Sequence, residues 1–240
     1  MAVLQLLRIS ALPTLLSNVL AAYFIGLGDR QGFLLLPLFL ISCSATYLGG
    51  MVLNDYYDAE IDSHERPERP IPSGKISITF AFVLGMILLV SGFVVGLFCP
   101  LISNVSTFNK QMAISLVTAL FCCVVSYNAF LKRTAIMGSV SMGACRMFCY
   151  LFIFFTLEPS VSVSHIVWSI FIGVYVVCVT IVSGFEADSP TIKRVVGFAL
   201  SFLILLDAVA CLFFVGIMPA LLIVVLYPVA VQLRRVVSMT

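Results

Sequence analysis

An all-α bundle that crosses a membrane about eight times is the fold this sequence predicts, and three observations predict it. Hydrophobic residues fill 62% of the chain and charged residues only 10%, against roughly a quarter charged in soluble domains. Apolar runs of about 18–24 residues recur along the whole length, each long enough to cross roughly 30 Å of hydrocarbon as a helix. All charges but Arg146 and Asp207 fall between or at the ends of the runs, and the cations favour alternate connections, the asymmetry that orients helices in a bilayer. No low-complexity linker or large polar insertion divides residues 1–240, so they read as one helical membrane domain.

The first span covers about 10–28. Its apolar run is as long as a full crossing and no small-residue cleavage site follows it, so it is expected to stay as a signal anchor. Further spans are expected at about 32–53, 76–99, 111–130, 135–156, 162–184, 195–215 and 217–233. With eight spans, one side receives Arg8, Arg66, Arg69, Lys75, Lys132, Arg133, Lys193, Arg194, Arg234 and Arg235, and the other only Arg30 and Lys110. The rich side is then cytoplasmic and holds both termini, a topology compatible with a bacterial inner membrane or its equivalent. Two four-span halves each place a polar cytoplasmic loop after their second helix, at residues 54–75 and 185–194. Such pseudo-repeated halves put a working site around the central cavity between them.

The remaining features are plainer. Gly49 and Gly50, with Gly138 and Gly143, are places where neighbouring helices can approach closely. The eight cysteines fall within or at the edge of the apolar runs without CxxC spacing, so they read as reduced packing residues. His64 and His165 lack metal-ligand spacing. The cations follow topology and form no stacking or base-reading surface, which excludes a nucleic-acid partner.

Function is concentrated in residues 54–74, which gather six of the eleven acidic residues between two apolar runs. If the helix continues through residue 62, Asn54, Asp58 and Asp62 stand at i, i+4 and i+8, with Asp55 beside them on the same side. Carboxylates so close repel unless cations neutralise them, and hard oxygen donors suit Mg²⁺ bridged to substrate phosphates. Arg66, Arg69 and Lys75 follow at once, and guanidinium groups bind phosphate oxygens in bidentate fashion. Two Arg-Pro steps with Pro72 and Gly74 stiffen a loop able to fold back over the site. The plainer reading is a solvated interfacial loop whose charges pair with one another.

The run Asn54-Asp55-x-x-Asp58-x-x-x-Asp62, continuing into Arg66-Pro67-x-Arg69-Pro70-Ile71-Pro72-Ser73-Gly74, resembles the first aspartate-rich signature of the UbiA superfamily of intramembrane prenyltransferases. The resemblance implies that Asn54, Asp55, Asp58 and Asp62 hold Mg²⁺ against the diphosphate of a polyprenyl donor, with Arg66 and Arg69 on phosphate and Lys75 adding charge. Asp58 and Asp62 would carry the catalytic burden. Tyr127 with Lys132-Arg133 is similar to the family's tyrosine and lysine after the fourth helix, which hold the diphosphate as it leaves. Read alone, Tyr127 is an interfacial aromatic and Lys132-Arg133 a topology signal.

The second aspartate-rich motif departs from the family pattern. Where the family places aspartates spaced as DxxxD after the sixth helix, this chain has Ser183-Gly184-Phe185-Glu186-Ala187-Asp188-Ser189-Pro190. Glu186 and Asp188 are the remaining candidates for a second Mg²⁺. Two apart, they would diverge on a helix and converge only in a loop. Lys193 and Arg194 can supply cationic charge beside them.

Within the apolar runs stand three polar candidates. Arg146 lies near the middle of the fifth span, where an unpaired charge is expensive, and Asp207 in the seventh is its expected direct partner unless Arg146 faces substrate. Asn18 is either an interhelical hydrogen-bond residue or a lining of the cavity. Met142-Gly143-x-Cys145-Arg146 also resembles a stretch of the family's EboC-like branch.

The reaction implied is Mg²⁺-assisted transfer of a prenyl group from an allylic polyprenyl diphosphate to a small aromatic or lipid acceptor within the bilayer. The competing reading is a catalytically altered relative that binds or carries a prenylated or lipid-linked metabolite, favoured by the thinned second motif and by one helix fewer than the family's common nine. A midplane cation transporter is disfavoured, because the acidic residues crowd one membrane face.

Overall fold

The computed structural model describes residues 2–28, 34–185 and 189–236. Among them the chain is helical throughout, in the order α1 (Ala2–Leu6), a 3₁₀ turn (Ile9–Ala11), α2 (Leu12–Leu27), α3 (Leu35–Tyr57), α4 (Ala59–Glu65), α5 (Ile78–Ile102), α6 (Thr107–Ala129), a second 3₁₀ turn (Leu131–Arg133), α7 (Ala135–Leu157), α8 (Val163–Ser183), α9 (Pro190–Phe214), α10 (Ile217–Val224) and α11 (Leu226–Val236). Eight spans long and apolar enough to cross a membrane result, the last formed by α10 and α11 together.

Helix starts follow from sequence. Ser77, Ser106, Ser162 and Ser189 each accept a backbone N–H with the side chain at the head of α5, α6, α8 and α9, satisfying one of the donors a helix N-terminus leaves over. Pro13 and Pro190 occupy the first turns of α2 and α9, where the missing N–H does no harm. Gly216, at φ 127°, turns the chain between α9 and α10, a conformation side-chain-bearing residues rarely adopt. The seventh span, α9, begins earlier than the expected 195, because the Ser189-Pro190 start outweighs the polarity of Lys193 and Arg194.

Close glycine contacts set the helix pairs. A Cβ on Gly49 would lie 2.6 Å from the Leu89 backbone nitrogen, and one on Gly143 would collide with the Gly173 carbonyl. These contacts seat α3 on α5 and α7 on α8, as small residues do when helix backbones approach in lipid. The first span does not stay within its own half: α2 packs on α7, α9 and α11 as well as on α3. One apolar core, with Tyr23, Phe39, Tyr150, Phe152 and Phe154 among its buried residues, draws on both halves. Exposed apolar side chains such as Ile87, Phe98, Val174 and Phe213 form the outer surface that a bilayer requires.

Candidate active site

The site is built where α3, α4 and the end of α6 meet at the face expected to be cytoplasmic. α3 ends at Tyr57, Asp58 sits at φ −90° and ψ −2°, and α4 restarts at Ala59. The bonds from Asp58 N–H to the Asn54 carbonyl (3.0 Å) and from Asp62 N–H to the Asp58 carbonyl (2.8 Å) carry the chain across the joint.

The four oxygen-bearing side chains do not share one face, contrary to the sequence expectation. Residues seven apart lie within about 20° of one another on a helix, whereas residues eight apart diverge by about 80°. Asp62 therefore falls in line with Asp55 and away from Asn54. Asn54 and Asp58 line a cavity of about 360 Å³ with Tyr57, Tyr127, Asn128 and Lys132. Asp55 and Asp62 turn instead toward buried arginine.

Each carboxylate has its own cation. The Lys132 ammonium is 2.6 Å from Asp58 Oδ1 and 3.4 Å from Asn54 Oδ1, and sits over the Tyr57 ring. Arg69 donates to Asp62 Oδ2 at 2.6 Å, and its Nη1 stands 3.7 Å from Asp55 Oδ1. Arg8 donates to the same Asp55 oxygen at 2.6 Å. Burial works against the Arg8 charge, but Asp55 outweighs it, helped by Tyr47 and Tyr127, and the guanidinium pKa lies above the ordinary arginine value. The result is an alternating chain, Arg8–Asp55–Arg69–Asp62, none of whose members lines the cavity.

The loop after α4 is tied down through Arg69. Its carbonyl accepts the Ser73 N–H at 3.0 Å and the Ser73 hydroxyl at 2.6 Å, and Ile76 N–H bonds to the Pro70 carbonyl at 3.0 Å. Gly74, at φ 72°, closes the turn. Arg69 is thus buried, while Arg66 and Lys75 are exposed and form no ion pair among the described residues. Lys193 and Arg194 are exposed on the first turns of α9. Glu186 and Asp188 lie outside the described residues.

Sequence reasoning missed Arg8 as a site residue, since a cation before the first span reads as a topology signal. Its left-handed conformation, φ 48°, is not legible in the composition around it.

A separate polar network occupies the bundle interior. Asp207 accepts hydrogen bonds from Ser17 (2.6 Å), Asn18 (2.7 Å) and the Tyr150 hydroxyl. Arg146 donates to Asn18 Oδ1 at 2.6 Å, to the Thr14 carbonyl at 3.1 Å and to the Thr14 hydroxyl at 3.0 Å, with its guanidinium over the Tyr47 ring. The expected direct pair between Arg146 and Asp207 is therefore replaced by a bridge. One amide of Asn18 gives its N–H to the acid and its oxygen to the base, satisfying both along α2.

Among the described residues, no three His, Cys, Asp or Glu side chains gather as a ready metal cage. A Mg²⁺ that keeps waters and borrows substrate phosphates needs only one or two protein carboxylates. Asn54 and Asp58, opening side by side onto the cavity, fit that requirement.

Comparison with known proteins gives a consistent picture. The model of the UbiA prenyltransferase family matches residues 15–238. Digeranylgeranylglyceryl phosphate synthase of Methanococcoides burtonii is 37% identical over 95 residues, 39% of this chain and 30% of that protein. The enzyme of the same name from Saccharolobus solfataricus is 35% identical over 140 residues, 57% and 45% respectively. The one from Methanothermobacter thermautotrophicus is 28% identical over 98% of this chain and 83% of its own length. The strongest of these matches span less than half of the relatives concerned. A solved structure described as "Structural and mechanistic insights into the biosynthesis of Digeranylgeranylglyceryl phosphate synthase in membranes" has the same fold, with a TM-score of 0.60 at 20% identity, over 98% of this chain and 87% of that one.

Proposed function

The chain belongs to the UbiA prenyltransferase family, and from that premise we propose that it transfers a prenyl group from an allylic polyprenyl diphosphate to a lipid acceptor at the membrane face. The observation that carries this reading is the convergence of Asn54, Asp58, Tyr127 and Lys132 on one cavity. Relatives named for a digeranylgeranylglyceryl phosphate product support a prenylated, phosphate-bearing lipid as acceptor over a small aromatic one.

In this mechanism Asn54 and Asp58 would hold Mg²⁺ at the cavity, with Glu186 and Asp188 proposed for a second ion. Bound Mg²⁺ supplies Lewis-acid stabilisation of the charge that develops on diphosphate. Lys132 shifts from Asp58 toward the phosphate oxygens, and the Tyr127 hydroxyl steadies the leaving group as the allylic carbon–oxygen bond breaks. Arg66 and Lys75, exposed and without ion pairs among the described residues, close from the loop, with Lys193 and Arg194 contributing from α9. The acceptor hydroxyl then forms the new bond to the allylic carbon, its proton passing to the released diphosphate. The isoprenoid tail lies among apolar side chains in the bilayer. The excess of cations beside the site favours a cytoplasmic orientation for it and for both termini.

The test uses purified protein in nanodiscs with geranyl, farnesyl and geranylgeranyl diphosphates, Mg²⁺, and lipid or aromatic acceptors. Expected is acceptor-dependent diphosphate release that chelation of Mg²⁺ abolishes. Donor binding without release under every acceptor would overturn transfer in favour of a carrier of prenylated lipid.

A further inference from the structure

We propose that Arg234, near the end of α11, and Ser10, in the 3₁₀ turn Ile9–Ala11, form a second anion site that holds the phosphate monoester of the lipid acceptor. The inference rests on the proposed prenyl transfer and assigns the acceptor headgroup to residues outside the cavity of Asn54 and Asp58.

Arg8, Arg69 and Arg146 each have an acceptor at 2.6 Å. Arg234 differs: it is half-buried, its Nε and Nη2 are covered by protein, and neither has a hydrogen-bond partner. No carboxylate among the described residues pairs with it. α11 packs on α2, on α9 and on the Ile9–Ala11 turn. The guanidinium lies against α9, where a Cβ on Gly197 would stand 3.4 Å from Nη1. In the turn, Ser10 is 1% exposed and its Oγ is also without a partner. Covered donors are costly when nothing accepts from them, so two such groups on elements packed against each other mark a place for an acceptor.

Nε and Nη2 present their hydrogens along one edge of the guanidinium plane, the edge that grips two oxygens of one phosphate side by side. The Ser10 hydroxyl can donate to a third. A phosphate monoester carries three free oxygens and up to about two charges, whereas the diester of an ordinary bilayer lipid has one fewer of each. Lys193 and Arg194 lie four and three positions before Gly197 on α9 and are exposed, so an anion approaching along that flank meets positive charge. The turn also places this site beside the reaction. Ser10 is two positions from Arg8, about 7 Å of chain at most, and Arg8 bonds to Asp55 of the acidic motif. Neither Ser10 nor Arg234 lines the cavity, so acceptor headgroup and donor diphosphate have separate places.

The probe is oleoyl lysophosphatidic acid, a one-chain glycerol lipid ending in a phosphate monoester, and monoolein, the same chain without phosphate, is its control. Binding of each radiolabelled lipid is titrated on the full chain in phosphatidylcholine nanodiscs. Expected is at least about tenfold tighter binding of lysophosphatidic acid than of monoolein. Arg234→Gln should remove that difference, Arg234→Lys should restore part of it, and Ser10→Ala should weaken binding less, by about threefold. Geranylgeranyl thiolodiphosphate with Mg²⁺ should bind all three variants as it binds the unaltered protein. Arg234 has no protein partner to lose, so the melting transition of Arg234→Gln should not fall. Equal binding of the two probes, unchanged lysophosphatidic acid binding by Arg234→Gln, or a melting transition several degrees lower in that variant would overturn the site. Displacement of the probe as readily by phosphatidylglycerol or by inorganic phosphate would overturn the monoester lipid as ligand, in favour of a bilayer diester or of free phosphate. Failure of the thiolodiphosphate to bind the unaltered protein would overturn prenyl transfer instead, with the phosphate preference still readable.

Discussion

At the membrane face and in the bundle interior the protein solves the same problem, neutralising charge in a poor solvent, by different means. Near the face, Lys132 meets Asp58 and Arg69 meets Asp62 directly, and the first of these pairs borders an open cavity. In the interior, Arg146 and Asp207 are held apart by Asn18, and Ser17, Thr14 and Tyr150 complete their bonding. Arg146 stands eleven residues into α7, about 16 Å along it, which is near the middle of a bilayer. A direct pair beside a cavity can exchange partners with a ligand. A bridged pair whose acid is fully buried has every bond already assigned, and its consequence is helix registry: it ties α2, α7 and α9 together.

Removing charge should therefore act oppositely in the two places. Asp207→Ala leaves Ser17, Asn18 and Tyr150 without their common acceptor and should destabilise the bundle by about 3–5 kcal/mol, read as a fall in unfolding midpoint in mixed micelles. If stability is unchanged while activity disappears, the interior network belongs to the reaction and the contrast fails.

Asp58→Asn should do the reverse. The shape is kept and the charge that holds metal is lost, so turnover should drop about 10²–10³-fold while the melting transition moves little. The pair it breaks is part-exposed, with Asp58 at 23% and Lys132 at 16%, and such pairs contribute little to stability. An unfolded Asp58→Asn protein would place this pair with the interior one.

The two regions also differed in how far they could be read from sequence. Eight spans, their glycine contacts and the serine helix starts follow from local rules, because lipid obliges each span to satisfy its own backbone. The acidic motif was legible as a group, and Tyr127 from α6 and Lys132 from the turn after it do reach it. The offsets of seven and eight residues that divide it could be read from helix geometry, but which cation each carboxylate meets could not, since that depends on how the segment before α2, the loop after α4 and the turn after α6 fold onto it. Arg8 was invisible as a partner because its contact with Asp55 spans 47 positions. Arg146 and Asp207 could be matched as deep charges, yet only the packing of α2 between α7 and α9 inserts Asn18 between them.

That insertion gives a sharper test of the contrast. Asn18→Leu keeps the branched outline of the side chain and removes the bridge, leaving Arg146 and Asp207 each short of one partner, at about 1–3 kcal/mol in the same micelle unfolding assay. Asn18→Leu combined with Asp207→Ala should be less damaging than the sum of the two, because the missing bond is counted once. Strict additivity would mean that Asn18 and Asp207 do not share a bond that matters to stability.

The smallest effect is expected at Ser17→Ala. Its hydroxyl donates to Asp207 at 2.6 Å and lies 3.0 Å from the Thr14 carbonyl, but Asn18 and Tyr150 still serve the acid when it is gone. Interhelical hydrogen bonds inside membranes average only about 0.6 kcal/mol, so the unfolding midpoint should shift slightly and prenyl transfer should stay near its original rate. A loss approaching that of Asp207→Ala would show that the acid depends on one donor and that the network lacks the redundancy separating it from the single-partner pairs at the membrane face.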